Sequence, residues 1–170
     1  GGMGRRHLRG MARLYASSQC NLELVAVCDL NQANANLLAD EAEHLLGSRP
    51  RVFSDIAAMA RAIPDLQAAD VTTDTGSHHA VAVACLEAGL HVLCEKPLAP
   101  TAAAMRGMIE AARRAGRLLA VNFNSRSARQ YRLAKTIADQ GRLGRIKVIR
   151  IVYNWSAHQW QPRARLDQFM

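Results

Sequence analysis

The sequence predicts an α/β domain built on a doubly wound parallel sheet, and three observations predict it. Short β-rich runs alternate with longer helical ones along most of the chain. The helical runs open after Ser, Thr, Asp or Asn, and several close on Gly. The strands are near-continuously apolar, as strands covered on both faces are.

In chain order, an amphipathic helix from Arg5 to about Ser17 precedes a strand, Leu22–Cys28. The stretch 31–46 is a helix, Arg51–Phe53 a brief strand, and Asp55 caps a helix that runs to about Ile63, before Pro64. Ala69–Thr73 is a strand, and His78–Ala88 is a helix ended by Gly89. His91–Cys94 is a strand, and Thr101 begins a helix that stops at Gly116. Leu118–Phe123 is the next strand, followed by a helix from about Ala128 to Gln140. Strands separated by single helices imply right-handed crossovers and parallel pairing.

The pattern changes after Gly141-Arg-Leu-Gly144. Ile146–Trp155 reads as one long strand with charges at Lys147 and Arg150 among its apolar residues, which suggests a sheet with one wet face. A domain boundary is therefore expected there, with residues 1–143 as the first domain and 144–170 as the opening strand of a second, α+β one.

Composition narrows the classes further. The chain has 170 residues, 49% hydrophobic and 21% charged, which suits a globular domain rather than a disordered one. The apolar run Ala80–Leu86 is stopped by Glu87, far short of the ~20 residues of a membrane span. No secretory leader opens the chain, so a cytoplasmic setting without membrane association is expected. The net charge is +8, and all basic residues other than Lys96, Lys135 and Lys147 are arginines. These share helix faces with Asp and Glu and form no basic arm, so no nucleic-acid partner is expected. A basic nucleic-acid-binding domain remains as a rival that salt-dependent retention on DNA would reveal. Cys20, Cys28, Cys85 and Cys94 form no C-x-x-C, and with the six histidines they show no zinc-ligand spacing, so reduced thiols and no metal are expected.

The chemistry-bearing motif comes at the start. Gly1-Gly2-Met3-Gly4 leads into a helix, a strand and then Asp29. The second and third glycines of G-x-G-x-x-G are three apart, as Gly1 and Gly4 are. In that fingerprint one glycine lets the backbone approach a pyrophosphate and the next lets helix and sheet pack closely. The anion sits on the helix N-terminus, and an acid at the end of the following strand accepts from the ribose 2′-hydroxyl. Asp29 fills that place; its alternative role is to cap the next helix. Asp29-Leu30-Asn31, with no adjacent Arg, favours NAD over NADP. The first glycine of the fingerprint and the strand before it are missing from this reading.

Cys85-Leu-Glu-Ala-Gly89 followed by His91-Val-Leu-Cys-Glu-Lys-Pro-Leu-Ala99 resembles the glucose–fructose oxidoreductase/inositol dehydrogenase (Gfo/Idh/MocA) family. The resemblance covers nearly the whole chain, and Glu95-Lys-Pro97 carries most of its specificity. It implies a Rossmann-type fold and an NAD(P)-dependent oxidoreductase acting on a sugar, cyclitol or related polyol. It implies that Lys96 is catalytic and partly desolvated, with the Lys96–Pro97 peptide cis. It further implies cofactor-side roles for Gly1, Gly2, Met3, Gly4, Asp29, Thr73, Asp74, His78, Glu95, Lys96 and Asn124. Asp74 stands where the family has Pro. Asn124 has an alternative role capping the helix after it, Thr73 one as an ordinary strand residue, and His78 one as a structural helix-start residue. Trp155 is either at the substrate cleft or in interdomain packing, and His79 and His158 have no assigned role. The Asp and His that the family places on a helix of its second domain have no counterpart in Tyr153–Met170, so the chain reads as truncated at both ends. A small-molecule substrate and a homo-oligomer formed through the second domain are expected of the intact protein. A noncatalytic NAD-binding sensor or partner protein on the same fold is the alternative.

Overall fold

The computed structural model describes residues 1–18, 20–152 and 154. The chain divides into a compact unit Gly1–Asn122 and a second that begins at Phe123. In the first unit α1 (Gly2–Tyr15), β1 (Ala26–Cys28), α2 (Gln32–Leu46), β2 (Arg51–Phe53), α3 (Ile56–Ala62), β3 (Ala68–Val71), α4 (His78–Glu87), β4 (His91–Cys94), α5 (Ala102–Ala115) and β5 (Leu119–Val121) follow one another. The alternation read from the sequence is the alternation of the structure, with strands shorter than expected.

Local chemistry explains most helix ends. The Asn31, Asp55 and Thr101 side chains accept from the N–H groups of Asn34, Ala58 and Ala104, three residues into α2, α3 and α5. Gly47 and Gly116 end α2 and α5 in the left-handed conformation, at φ 81° and 61°. Helix α1 departs from the expected pattern: it starts at Gly2 rather than Arg5, and its cap, Gly1, offers no side chain.

All strand pairs are parallel, and they form two sheets. β1 pairs with β2, Val27 beside Val52, while β4 lies between β3 and β5, with Asp70 beside Leu93 and Leu93 beside Ala120. β1 and β3 are not paired with each other. The core forms where α4 packs against β3 and β4, with α3 and α5 packed on either side of it. Val71, Val92 and Cys94 face Ala82, Cys85, Leu86 and Met108, all of them buried. Side chains alternate along a strand, so Asp70, Leu93 and Glu95 point the other way, together with Ala120 and Asn122. On that side α1 reaches Asp70 and Glu95 through His7 and packs on α2, while Leu93 and Ala120 stay exposed.

Close packing of α1 depends on Gly4. A Cβ at Gly4 would lie 3.2 Å from Thr72 Oγ1 and 3.4 Å from Leu38 Cδ2. Gly4→Ala is expected to be nearly neutral in thermal melts: the hydroxyl can rotate, and alanine favours the helix by about 1 kcal/mol. Gly4→Val adds branches that nothing can accommodate, and overpacking of this kind costs ~1–3 kcal/mol. Equal melting temperatures for the two variants would refute this account of the glycine.

The second unit holds a 3₁₀ turn (Asn124–Ser127) and α6 (Arg129–Asp139), followed by turns in which Gly141 and Gly144 take positive φ. The expected strand from Ile146 is not found: residues 146–152 have no regular structure. Val148, Ile149, Ile151 and Val152 are mostly exposed there. A strand requires a neighbour for its N–H and C=O groups, and among the described residues none pairs with this segment. Trp155 and His158 lie outside the described residues. Among the described residues no helix is long and apolar enough to cross a membrane.

Candidate functional site

The candidate site lies at the N-terminus of α1 and the carboxyl ends of β1, β3 and β4, where doubly wound sheets bind ligands. Among the described residues nothing lies within 4 Å of where a Cβ of Gly1 or Gly2 would stand, and Met3 is half-buried beside them. The first-turn N–H groups of α1 have no capping side chain, and Arg5 N–H is the first to find a helical acceptor, Gly1 O, at 3.2 Å. Free N–H groups, the positive end of the helix dipole and open space together suit a phosphate. Asp29, just past β1, is half-buried; Oδ1 accepts from Asn31 N–H at 2.9 Å, and Oδ2 is 3.9 Å from the Gly1 nitrogen. One carboxylate oxygen therefore caps the turn and the other faces the glycine loop.

Two segments cross the carboxyl ends of β3 and β4. In the first, Thr73 is exposed and its hydroxyl turns back to Asp74 O at 3.4 Å. Asp74 gives both carboxylate oxygens to Ser77, accepting from its N–H at 3.2 Å and its hydroxyl at 2.6 Å. The Ser77 hydroxyl and N–H hold the Asp74 carboxyl below its ordinary range. Where the family has Pro, this chain thus has a side-chain staple that turns the segment into α4.

His78 is buried rather than turned to a ligand. Its Nδ1 is 2.9 Å from Pro97 O and its Nε2 3.2 Å from Thr73 O, so the ring ties the two segments together. The neutral ring donates to one carbonyl and the charged ring to both.

In the second segment the Lys96–Pro97 peptide is cis. Lys96 is exposed, not partly desolvated as expected, and its N–H donates to Glu95 Oε2 at 3.1 Å. Exposure follows from the chain direction: β4 has ended, and with it the alternation that buries Cys94. Glu95 is 6% exposed and turns inward. Its Oε1 accepts from Asn122 Nδ2 at 2.6 Å and contacts His7 Nε2 at 3.0 Å. His7 Nδ1 reaches Asp70 Oδ2 at 2.6 Å, while Asp70 Oδ1 is buried without a partner among the described residues.

The groups of this cluster shift one another. Burial works against a charge on Glu95, but the Asn122 amide, His7 and the Lys96 N–H outweigh it and hold the carboxyl low. Burial pushes the Asp70 carboxyl up despite His7. Burial also opposes a charge on His7, and Asp70 and Glu95 overcome it and raise the ring.

The sequence reading missed His7, Asp70 and Asn122. The signal for Asp70 was a lone carboxylate in the apolar run Ala68-Ala-Asp-Val71, which a buried strand tolerates only with a partner. His7 stands three residues after Gly4 on the face that carries Gly4 and Leu8, both buried. Asn124 lies in the second unit, exposed in the 3₁₀ turn, and it does not cap α6, whose cap residue is Ala128.

Comparison with known proteins places this geometry. The model of the oxidoreductase family with an NAD-binding Rossmann fold (GFO_IDH_MocA) matches residues 1–123. The chain belongs to this family. As a Gfo/Idh/MocA protein, it is 36% identical over 140 residues to the D-glucoside 3-dehydrogenase of Escherichia coli, covering 80% of this chain and 38% of that protein. It is 35% identical over 145 residues to an inositol 2-dehydrogenase of Pseudomonas savastanoi, covering 85% of this chain and 40% of that protein. Among solved structures, scyllo-inositol dehydrogenase from Lactobacillus casei with bound NAD(H) and scyllo-inositol is similar at a TM-score of 0.69 and 27% identity. That match covers 85% of this chain and 40% of the other. The chain thus spans about two fifths of the length of these relatives.

The NAD expected of the family fits the residues present. The open glycine loop and the uncapped helix offer N–H donors to the phosphates and Asp29 offers an acceptor to the ribose, as a dinucleotide requires. Burial raises the Cys85 and Cys94 thiols to about 11, and Cys28 is raised as well, so these cysteines rest as neutral core residues. Among the described residues no group of three His, Cys, Asp or Glu side chains is placed to hold a metal ion.

Proposed function

We propose that the protein is an NAD-dependent oxidoreductase acting on a CH–OH group of a sugar, cyclitol or related polyol. The observation that carries the reading is the Glu95-Lys96-Pro97 turn at the carboxyl end of β4, in the unit whose first helix offers an uncapped N-terminus. The nicotinamide, when bound, supplies the hydride chemistry. The first turn of α1 with Gly1, Gly2, Met3 and Gly4 holds the phosphates, and Asp29 accepts from the adenosine ribose. Thr73 lies on the nicotinamide side, while Asp74 and His78 shape it through the turns they hold. Lys96 takes the hydroxyl proton as the alcohol is oxidised and returns it in the reverse direction. Glu95 supports that turn from below. The names of the relatives support the polyol class, since they include glucoside and inositol dehydrogenases.

On this reading residues 1–143 are the cofactor domain and 144–170 open a substrate and oligomerisation domain, a boundary supported by the loss of strand–helix alternation after Gly144. The protein works in the cytoplasm as a homo-oligomer on small molecules, without nucleic-acid or membrane partners.

Asp29 decides the cofactor. A carboxylate repels a 2′-phosphate and accepts from a 2′-hydroxyl. Titration of the full-length protein with each cofactor is expected to give a lower dissociation constant for NAD than for NADP. Asp29→Ala is expected to narrow the difference by weakening NAD. Tighter binding of NADP by the unsubstituted protein would overturn the assignment.

A further inference from the structure

We infer that His7 is a positioning residue, a doubly protonated clamp between Asp70 and Glu95 that fixes the turn carrying Lys96. The inference deepens the proposed function and rests on it for the role of Lys96.

The argument begins with hydrogen-bond inventory. His7 touches a carboxylate with each ring nitrogen, Asp70 at 2.6 Å and Glu95 at 3.0 Å. A neutral imidazole has one N–H, and ionised carboxylates have none. With one proton on the ring, one of these two short contacts would set lone pair against lone pair. Two protons must therefore lie on the two bridges. The ring keeps the second proton because the two flanking carboxylates favour its charged form and outweigh the burial that opposes it.

The surroundings agree. The ring faces Asp70 from β3, Glu95 from β4 and the Asn122 amide from the end of β5. The Asn122 Nδ2 is 3.3 Å from His7 Nε2 and 2.6 Å from Glu95 Oε1, so its proton goes to the carboxylate and leaves Nε2 free to donate. Cys94, which both carboxylates influence, is neutral because burial first, then Glu95 and Asp70, raise its thiol to about 11. No basic side chain from another element pairs with either carboxylate among the described residues; His7 is the cation they have.

The clamp reaches Lys96 by one bond. Glu95 Oε1 is held by His7 and Asn122, so Oε2 is fixed where it takes the Lys96 N–H. His78 holds the far side of the same turn through Pro97 O. The Lys96 side chain is exposed while its backbone is tied on both sides.

The test uses the full-length protein with ¹⁵N-labelled histidine. At about pH 7 the His7 ring is expected to show both nitrogens protonated by its ¹⁵N shifts. Asp70→Asn removes one carboxylate while keeping the shape of the side chain, and its His7 ring is expected to be singly protonated at that pH. A singly protonated His7 in the unsubstituted protein overturns the clamp, whatever Lys96 does. Kinetics give the second arm. His7→Gln can donate to one carboxylate only, and kcat is expected to fall about tenfold or more as the lysine loses its position. The NAD dissociation constant should stay within about threefold, because the phosphate loop is untouched. Parallel loss of kcat and NAD affinity would show a merely structural histidine and refute the positioning role. Near-full activity in Lys96→Ala would remove the proton role of Lys96 and with it the purpose of the clamp, yet leave the protonation result standing, so the two failures are distinguishable.

Discussion

Lys96→Ala in the full-length protein is expected to lower kcat by about 10²–10⁴-fold, the loss that follows removal of a positioned proton-transfer group. The same variant should bind NAD almost unchanged, because the residues that receive the phosphates and the ribose, Gly1–Gly4 and Asp29, belong to other elements. The structure sharpens this expectation. Lys96 is exposed and has no ion-pair partner among the described residues, so its removal leaves no buried group unsatisfied and the fold should survive. A fall in activity can then be read as chemistry rather than unfolding. Steady-state rates at saturating NAD, with cofactor binding measured separately, are the check. Activity within about threefold of the unsubstituted protein would take Lys96 out of the mechanism.

The second large effect is on stability. The unit Gly1–Asn122 is built on two sheets, β1–β2 and β3–β4–β5, and β1 and β3 share no hydrogen bonds. Each backbone group shielded from water without a partner costs ~1–3 kcal/mol, against a usual net stability of ~5–15 kcal/mol for a whole domain. An unpaired strand edge is also a template for association with other chains. Residues 1–170 produced by themselves are therefore expected to melt broadly, to associate, and to bind NAD weakly. A sharp melt with micromolar NAD affinity would show that α1 and the paired strands suffice.

Much of this organisation was legible in the residues. Asn31, Asp55 and Thr101 mark helix starts because a short polar side chain satisfies N–H groups that the helix cannot, and Gly47 and Gly116 mark ends because only glycine turns left without strain. These are local effects, complete within a few residues, and the structure repeats them. The Glu95-Lys-Pro97 motif and the glycine loop carried the family by the same kind of local reading. The segment 146–152 shows the limit. Its β-rich pattern is a local preference, but a strand exists only with a partner, and pattern alone does not supply one.

The site divides along the same line. By itself the sequence determined the family, the order of helices and strands, and the residue types set at the carboxyl ends of the strands, because each depends on neighbours along the chain. Only the tertiary structure decided that Glu95 turns inward while Lys96 stays in water, that His78 ties two turns together, and that His7 links Asp70 to Glu95. His7 is 63 residues from Asp70 and 88 from Glu95. Nothing local requires them to meet. Strand alternation sends the two carboxylates to one face, Gly4 lets α1 come close to it, and the cost of burying charge without a counter-charge then makes the histidine their partner.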